Sequence, residues 1–267
     1  MRNICVLISF LIINVVIVNE LHAITTNSIL ETKIKASFLS STAANCDYDE
    51  MLVLQRKAID LCGGDNKLIS RIAIQIAEEY PDRISWAINM VAKYGSSEDV
   101  SFLEGFTNSY DYAAKSTGAI IHISGVSSNT INMVDHVMDL KLKDEHDKYL
   151  LCSALFHKTK HQSARGDARM LVVESLKRYM IQVPSLGAWA DEFVVSLDPQ
   201  YENSDERMKI LEEISEKNPH DFHRQHATNA VKRINASLNG QPVFVQLPHD
   251  ILVFKRGWTH FKIISRG

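Results

Sequence analysis

Cysteine is scarce in this chain: its 267 residues contain 4, at positions 5, 46, 62 and 152. Small exported domains that depend on disulfides carry them at much higher density, so a dense disulfide framework is excluded. The sequence also lacks a Gly-x-Ser-x-Gly nucleophile elbow, a glycine-rich phosphate loop and a Cys-x-x-Cys pair. Catalytic groups can converge from distant parts of a chain, but no motif here supports the naming of a reaction.

The chain also lacks a large excess of either positive or negative charge. The chain has 29 Lys and Arg against 32 Asp and Glu, which gives a formal net charge of −3. Proteins that bind nucleic acids or anionic membrane surfaces show a strong basic excess, so we expect no nucleic-acid partner. No sequence motif indicates a cofactor, and we expect none. A hydrophobic content of 45% is sufficient for a folded core.

The one long hydrophobic run lies at the N-terminus. Arg2 is followed by uncharged residues from Ile4 to Val18, and the polar residues after them end at the small residue Ala23. This order is typical of a cleavable signal peptide, and the run is shorter than the roughly 20 residues that a membrane-spanning helix needs. We expect cleavage of residues 1–23 after Ala23 and export to the periplasm or the medium, without stable membrane insertion. An uncleaved membrane anchor is the alternative.

Three cysteines remain after this cleavage, namely Cys46, Cys62 and Cys152. If the segment between Cys46 and Cys62 is helical, a rise of about 1.5 Å per residue holds its ends about 22 Å apart. A disulfide requires Cα atoms within about 7 Å of each other. Either Cys152 pairs with one of the other two or all three are thiols, and the apolar residues around Cys152 favour a buried thiol.

Helix signals recur along most of the chain. Amphipathic segments alternate with Gly, Pro and Asn-Ser breaks, which predicts helix starts near positions 47, 65, 82, 97, 111, 128, 144, 167, 185, 204 and 220. One helix pair then occupies roughly 30 to 40 residues, which is the period of α-solenoid repeats. Before this array, residues 24–45 are rich in Ser and Thr and predict an N-terminal extension with one weak helix between Ile29 and Leu39.

The most regular helix pairs are predicted over Asp65 to Tyr94, Glu98 to Gly125 and Ser128 to His157. They resemble the units of HEAT-type repeat proteins, although the Asp and Arg that recur in well-formed HEAT repeats are missing. The resemblance implies an all-α fold, with an α-solenoid of antiparallel helix pairs over residues 46–240. It carries over no functional residues. A compact multi-helix bundle is the alternative architecture.

The end of the chain differs in composition from the helical region. Residues 241–267 contain three β-branched and aromatic runs, at Val243 to Val245, Ile251 to Phe254 and Phe261 to Ile264. Such runs, separated by Pro, Asp and Gly, predict three short strands. We expect a C-terminal β meander or a capping tail that covers the last helices.

Histidines are the first candidates for chemistry. His157 and His161 are four residues apart and share a helix face, but a third ligand at a recognisable spacing is missing, so we expect no metal site. A second group recurs every third residue and comprises His220, His223 and His226. Residues at this spacing drift around a helix, and we predict an exposed polar face for them.

His122 lies between two isoleucines, which predicts a histidine in the core or at an interface. Adjacent acids are the other candidates, and they occur as Glu78–Glu79, Asp191–Glu192 and Glu212–Glu213. Adjacent side chains on a helix point about 100° apart, so they cannot form a carboxylate pair of the kind that shares a proton. We predict that these acids are solvated.

Two hypotheses of function follow. The first is a protein-binding or scaffolding module whose concave face binds a protein or peptide, and its candidate contacts are the aromatic residues Trp86, Tyr110, Tyr112 and Trp189. The alternative is an exported helical enzyme, a hydrolase or lyase, with acids near His122, His136, His157 or His223. Since no catalytic motif is present, we favour the binding module. The oligomeric state is left open.

Overall fold

Helices dominate the described chain. The computed structural model describes residues 28–42, 48–161 and 166–239, and within these ranges it contains helices, turns and loops but no β-strand. The predicted all-α class is confirmed for these residues, whereas the predicted signal peptide (1–23) and C-terminal strands (241–267) lie outside them. In the same ranges, none of the helices combines the length and the apolar character that a bilayer-spanning segment requires.

The chain divides into two units, residues 1–95 and residues 96–267. The described helices of unit 1 are α1 (28–41), α2 (Tyr48–Leu61), α3 (Asn66–Glu79) and α4 (Ile84–Tyr94). After α2, Gly63 and Gly64 adopt positive φ angles of 61° and 84°, a conformation that glycine reaches without steric cost. Asp65 then starts α3, because its side chain accepts a hydrogen bond of 3.0 Å from a backbone N–H of the first turn.

Helix α1 is an integral part of unit 1. Ile34 and Phe38 on this helix are completely buried, and the ring centroid of Phe38 lies 5.5 Å from that of Trp86 on α4. On a more exposed side of α1, Glu31 pairs with Arg71 of α3 at 2.5 Å. The segment predicted as an N-terminal extension with one weak helix therefore contributes a packed helix to this unit.

Unit 2 contains the remaining helices of the described chain. They are α5 (Val100–Glu104), α6 (Ala113–Ser124), α7 (Ser128–Asp139), α8 (His146–His161), α9 (Gly166–Gln182), α10 (Asp191–Leu197), α11 (Asp205–Lys217) and α12 (Asp221–Leu238). A 3₁₀ turn, Gly187–Ala190, leads directly into α10. The predicted helix starts fall within a few residues of these helices or turns, because local residues mark the boundaries. Ser204, for example, caps α11 by accepting a 3.1 Å hydrogen bond from the Arg207 backbone N–H.

The helices of unit 2 pack on their neighbours in sequence and also on the helix two places along. α6 packs on α7, α8 on α9 and α11 on α12, while α6 also packs on α8, α8 on α10, α7 on α9 and α9 on α11. These contacts bury one apolar core, in which Ile121, Leu155, Leu176, Val194 and Leu211 are at most 1% exposed. Burial of each such side chain stabilises the fold by about 1.5 to 3 kcal/mol.

A buried ion pair joins α10 to α11 within this core. Asp191 is only 2% exposed, and its carboxylate accepts hydrogen bonds from the Nε of Arg207 at 3.0 Å and from its Nη2 at 2.6 Å. The prediction that Asp191 is solvated was therefore wrong, whereas the adjacent Glu192 is exposed. A buried carboxylate needs a charged partner. That partner is Arg207 on the next helix, and the pattern of adjacent acids in the sequence does not reveal it.

Removal of the charge on Arg207 should destabilise the protein strongly. In Arg207→Met the Asp191 carboxylate stays buried without its partner, which costs about 3 to 5 kcal/mol in the free energy of unfolding. The matched control is Lys217→Met, because Lys217 pairs with Glu213 at 3.1 Å on an exposed surface of α11, where such pairs contribute less than about 1 kcal/mol. Urea unfolding followed by circular dichroism measures both. Equal losses in the two variants would contradict this account of the buried pair.

Candidate functional site

Aromatic and histidine rings from three parts of unit 2 meet at one place. We call this group the ring cluster, and its members are His146, Tyr149, Trp189, Phe193, Phe222, His223 and His226. They come from the start of α8, from the Gly187–Ala190 turn with α10, and from the start of α12. Rings with polar edges, such as those of Trp, Tyr and His, are suited to sites that are apolar on one side and wet on the other.

The α8 part of the ring cluster is a stack. His146 and Tyr149 are three residues apart on one face of α8, and their ring centroids are 5.4 Å apart at an interplanar angle of 27°. Tyr149 stacks in turn on Phe193 of α10, with centroids 5.6 Å apart. The start of α8 is fixed by Asp144, whose side chain accepts a hydrogen bond of 2.9 Å from the His146 backbone N–H. The stack is therefore attached to a capped helix terminus.

Trp189 lies at the centre of the ring cluster. Its ring centroid is 5.0 Å from those of Tyr149 and His223, and 5.5 Å from those of His146 and Phe222. All of these neighbours are steeply inclined to the indole plane, between 67° and 89°, which is the favourable edge-to-face geometry of aromatic pairs. The indole is partly exposed, so the cluster extends from the core to the protein surface.

His223 connects α12 to the Gly187–Ala190 turn. It is 4% exposed, and its Nε2 lies 3.1 Å from the backbone oxygen of Ser185. Because a carbonyl oxygen only accepts, Nε2 carries the proton and Nδ1 keeps its lone pair. Nδ1 is buried and has no hydrogen-bond partner among the described residues. The prediction of an exposed polar face was therefore wrong for His223.

Gly187 makes the close approach of His223 possible. It has a φ of +44°, and a Cβ atom at this position would lie 2.5 Å from Cγ and 2.8 Å from Nδ1 of His223. Both distances are shorter than van der Waals contact. Residues other than glycine rarely adopt this φ angle. Only glycine at position 187 therefore allows the imidazole of His223 to pack against the turn.

Burial keeps His223 and Tyr149 of the ring cluster uncharged near neutral pH. Burial lowers the pKa of His223 to about 4, and the positive charges of His220 and His226 lower it further, against the hydrogen bond to Ser185. Burial raises the pKa of Tyr149 to about 12, with the negative charge of Glu192 as the second cause. These two members of the cluster therefore add no charge to the surface around Trp189 near pH 7.

Glu192 is the anionic group at the edge of the ring cluster. It is exposed, and the described part of the chain shows no ion pair to it. Its charge raises the pKa of Tyr149 and opposes the fall in the pKa of His226, which is caused mainly by burial and then by Arg233. A carboxylate beside neutral aromatic rings provides a site suited to a cationic group.

The structure places one of the four predicted aromatic contacts in the ring cluster. Trp189 is its centre, but Tyr112 packs on Phe106 at 6.1 Å, and Tyr110 before α6 is 54% exposed. Trp86 belongs to unit 1, where it packs on Phe38. Sequence reasoning missed Tyr149, Phe193 and Phe222. The spacing of three between His146 and Tyr149 was the available signal.

The histidines proposed for an enzyme lie on four different helices. His122 on α6 is exposed, so its predicted place in the core was wrong, and its predicted place at an interface stays a prediction. His136 on α7 is also exposed, and its Nε2 is 2.5 Å from Oδ1 of Asn108. His157 on α8 lies beside His161 of the same helix, with ring centroids 6.4 Å apart. The fourth is His223, which is bound to the Ser185 carbonyl.

Metal ligands and thiols are the remaining candidates for chemistry in the described residues. Within residues 28–42, 48–161 and 166–239, no group of three or more His, Cys, Asp or Glu side chains is arranged to hold a metal ion. Cys62 and Cys152 are buried free thiols, and burial raises the pKa of both, to about 11 for Cys62. Such thiols are poor nucleophiles because little thiolate forms. Cys46 lies outside the described residues.

No protein-family model, curated protein or solved structure matches this chain. The candidate site is therefore supported by the geometry of the chain itself. That geometry defines a helical protein with a cluster of aromatic and histidine rings that reaches the surface and one carboxylate at its edge.

The buried His223 should make the protein sensitive to acid. Below its ordinary pKa of 6.5 the unfolded chain takes up a proton at this residue, while the folded protein resists protonation down to about pH 4. The stability contributed by the neutral ring is therefore complete above pH 6.5 and is lost as the pH falls to about 4. The loss amounts to about 3 kcal/mol, since one pKa unit corresponds to about 1.4 kcal/mol.

The variant His223→Gln tests this, since glutamine retains an N–H for the Ser185 carbonyl but does not titrate. Urea unfolding at pH 7, 6, 5 and 4 should show a fall in unfolding free energy that is about 3 kcal/mol smaller in the variant than in the wild type. His136→Gln, at an exposed position, is the control and should behave as the wild type. An unchanged pH dependence in His223→Gln would contradict the assignment.

Proposed function

We propose that this protein is an exported helical-repeat module that binds a protein or peptide segment through the ring cluster. The observation that carries the proposal is the position of Trp189, partly exposed and surrounded by four rings within 5.5 Å. Large aromatic side chains held in a fixed orientation dominate the binding energy of protein interfaces, because they bury much surface at little entropic cost. The export step rests on the signal peptide predicted for residues 1–23.

The packing order of unit 2 supports the solenoid part of this proposal. In a helical repeat array, the two helices of a pair pack on each other and each packs on its equivalent in the next pair. The contacts of α6 with α8 and α8 with α10, and those of α7 with α9 and α9 with α11, follow this order. We therefore favour the solenoid over the compact bundle for unit 2.

The charge at the ring cluster indicates which partner it fits. Glu192 is exposed beside Tyr149, and the aromatic rings of the cluster are neutral. An Arg or Lys side chain of a partner would gain both a carboxylate and an aromatic surface, with about 0.5 to 2 kcal/mol from the cation–π contact alone. The proposed partner is a peptide segment with at least one basic residue.

Selection from a random displayed peptide library, with the full-length protein as target, tests the proposal. We expect selected peptides to be enriched in Arg and Lys. Trp189→Ala should weaken their binding by at least about 30-fold, which corresponds to the hot-spot threshold of about 2 kcal/mol. Glu192→Lys, at an exposed position that should leave the fold unchanged, should weaken the basic peptides selectively. Isothermal titration calorimetry with synthetic peptides measures both changes.

The matched control is Tyr110→Ala, because Tyr110 is an exposed aromatic residue outside the ring cluster. This variant should bind the selected peptides as the wild type does. Circular dichroism of each variant separates a loss of binding from a loss of folding. Peptides that bind the Trp189 and Glu192 variants as tightly as the wild type would show that the ring cluster is not the binding site.

A further inference from the structure

The outer face of α9 is apolar at both ends and charged in the middle. Between Met170 and Gln182, the exposed positions are 170, 171, 174, 178, 181 and 182. At about 100° per residue, all six lie within about 60° of the direction opposite the buried Leu176. They form one continuous stripe, which we call the α9 stripe. Met170, Leu171 and Ile181 are 59%, 43% and 43% exposed, which is high for large apolar side chains on a helix.

The α9 stripe is symmetric in its chemistry about Leu176. Leu171 lies five residues before this centre and Ile181 five residues after it. Glu174 lies two residues before it and Arg178 two residues after it. When two identical helices pack antiparallel about a two-fold axis, residues at equal distances on opposite sides of the centre face each other.

We infer that a second copy of this chain docks on the α9 stripe and forms a two-fold symmetric dimer. In this arrangement Leu171 contacts Ile181 of the second copy, and Glu174 faces Arg178 of the second copy. The symmetry repeats each contact, so the interface contains two apolar contacts and two ion pairs. An interface in which the same patch meets itself is the usual form of a homodimer.

The contacts that Glu174 and Arg178 make within one chain leave both side chains able to pair with a second copy. Glu174 pairs with Lys177 at 2.9 Å, yet its side chain is 60% exposed. Arg178 pairs with Asp135 of α7, and its side chain is 45% exposed. Both head groups therefore have donor or acceptor sites directed to solvent. Charge complementarity between copies, rather than apolar area alone, identifies the second copy as the occupant.

The strength of the dimer can be bounded from the length of the helix. α9 has 17 residues and is about 25 Å long, so it provides less contact than a standard interface of about 1,600 Å². Interfaces of this size are weak or transient. We expect weak association that weakens further as the salt concentration rises, because the ion pairs are screened.

Sedimentation velocity of the full-length protein between 1 and 200 µM tests the inference, and the wild type should pass from monomer to dimer over this range. Glu174→Arg and Arg178→Glu each place like charges opposite each other and should be monomeric at every concentration. An equal mixture of the two variants should form a heterodimer, because every opposed pair is then again of opposite sign. The charge reversal Lys232→Glu on α12 is the control and should dimerise as the wild type does.

A second pair of variants covers the case in which the first pair folds poorly. Leu171→Asp and Ile181→Lys change exposed residues, and each should be monomeric. Their mixture should dimerise, since it joins one new ion pair and one retained apolar contact. A wild type that stays monomeric at 200 µM would overturn the inference. So would mixtures of well-folded variants that fail to associate.

Discussion

The close contact between His223 and Gly187 is the constraint on which the C-terminal part of unit 2 depends. The Gly187–Ala190 turn contacts α8, α9, α10, α11 and α12, and its residues Gly187, Ala188 and Ala190 are buried. Because these three residues carry at most a methyl group, several helices can approach the turn closely, while the fourth residue, Trp189, extends toward the surface. The imidazole of His223 fills the space that a Cβ at position 187 would need, and it donates to the Ser185 carbonyl at 3.1 Å.

Two features of unit 2 are positioned by this turn. Trp189 lies within it and becomes the centre of the ring cluster, with neighbours from α8 and α12 on either side. Asp191 follows it directly and pairs with Arg207 of α11. The turn thus joins the ring cluster to a buried ion pair. A change in its backbone would alter both the proposed binding site and the attachment of α11.

Local signals predicted the helices well and the site poorly. Glycines, prolines and capping residues such as Ser204 act within a few residues of each boundary, so the sequence alone places the helix starts. The burial of Asp191 and His223 depends on partners from other elements, the guanidinium of Arg207 and the missing side chain of Gly187. Adjacent acids and regularly spaced histidines look solvated when such partners are unknown. Trp189 was identified as an aromatic candidate, but the convergence of its neighbours is a tertiary property.

A double-mutant cycle on the unfolding free energy tests the central contact most directly. Gly187→Ala should cost about 2 to 5 kcal/mol in the wild type, from overpacking against His223 together with the positive φ. In the background of His223→Gly, which also removes the Cβ that would lie 2.9 Å from the new atom, the clash is absent, and the cost should fall to about 1 to 2 kcal/mol for the backbone conformation alone. A coupling of about 1 to 3 kcal/mol between the two positions is therefore predicted. Equal costs of Gly187→Ala in both backgrounds would show that His223 does not pack against Gly187.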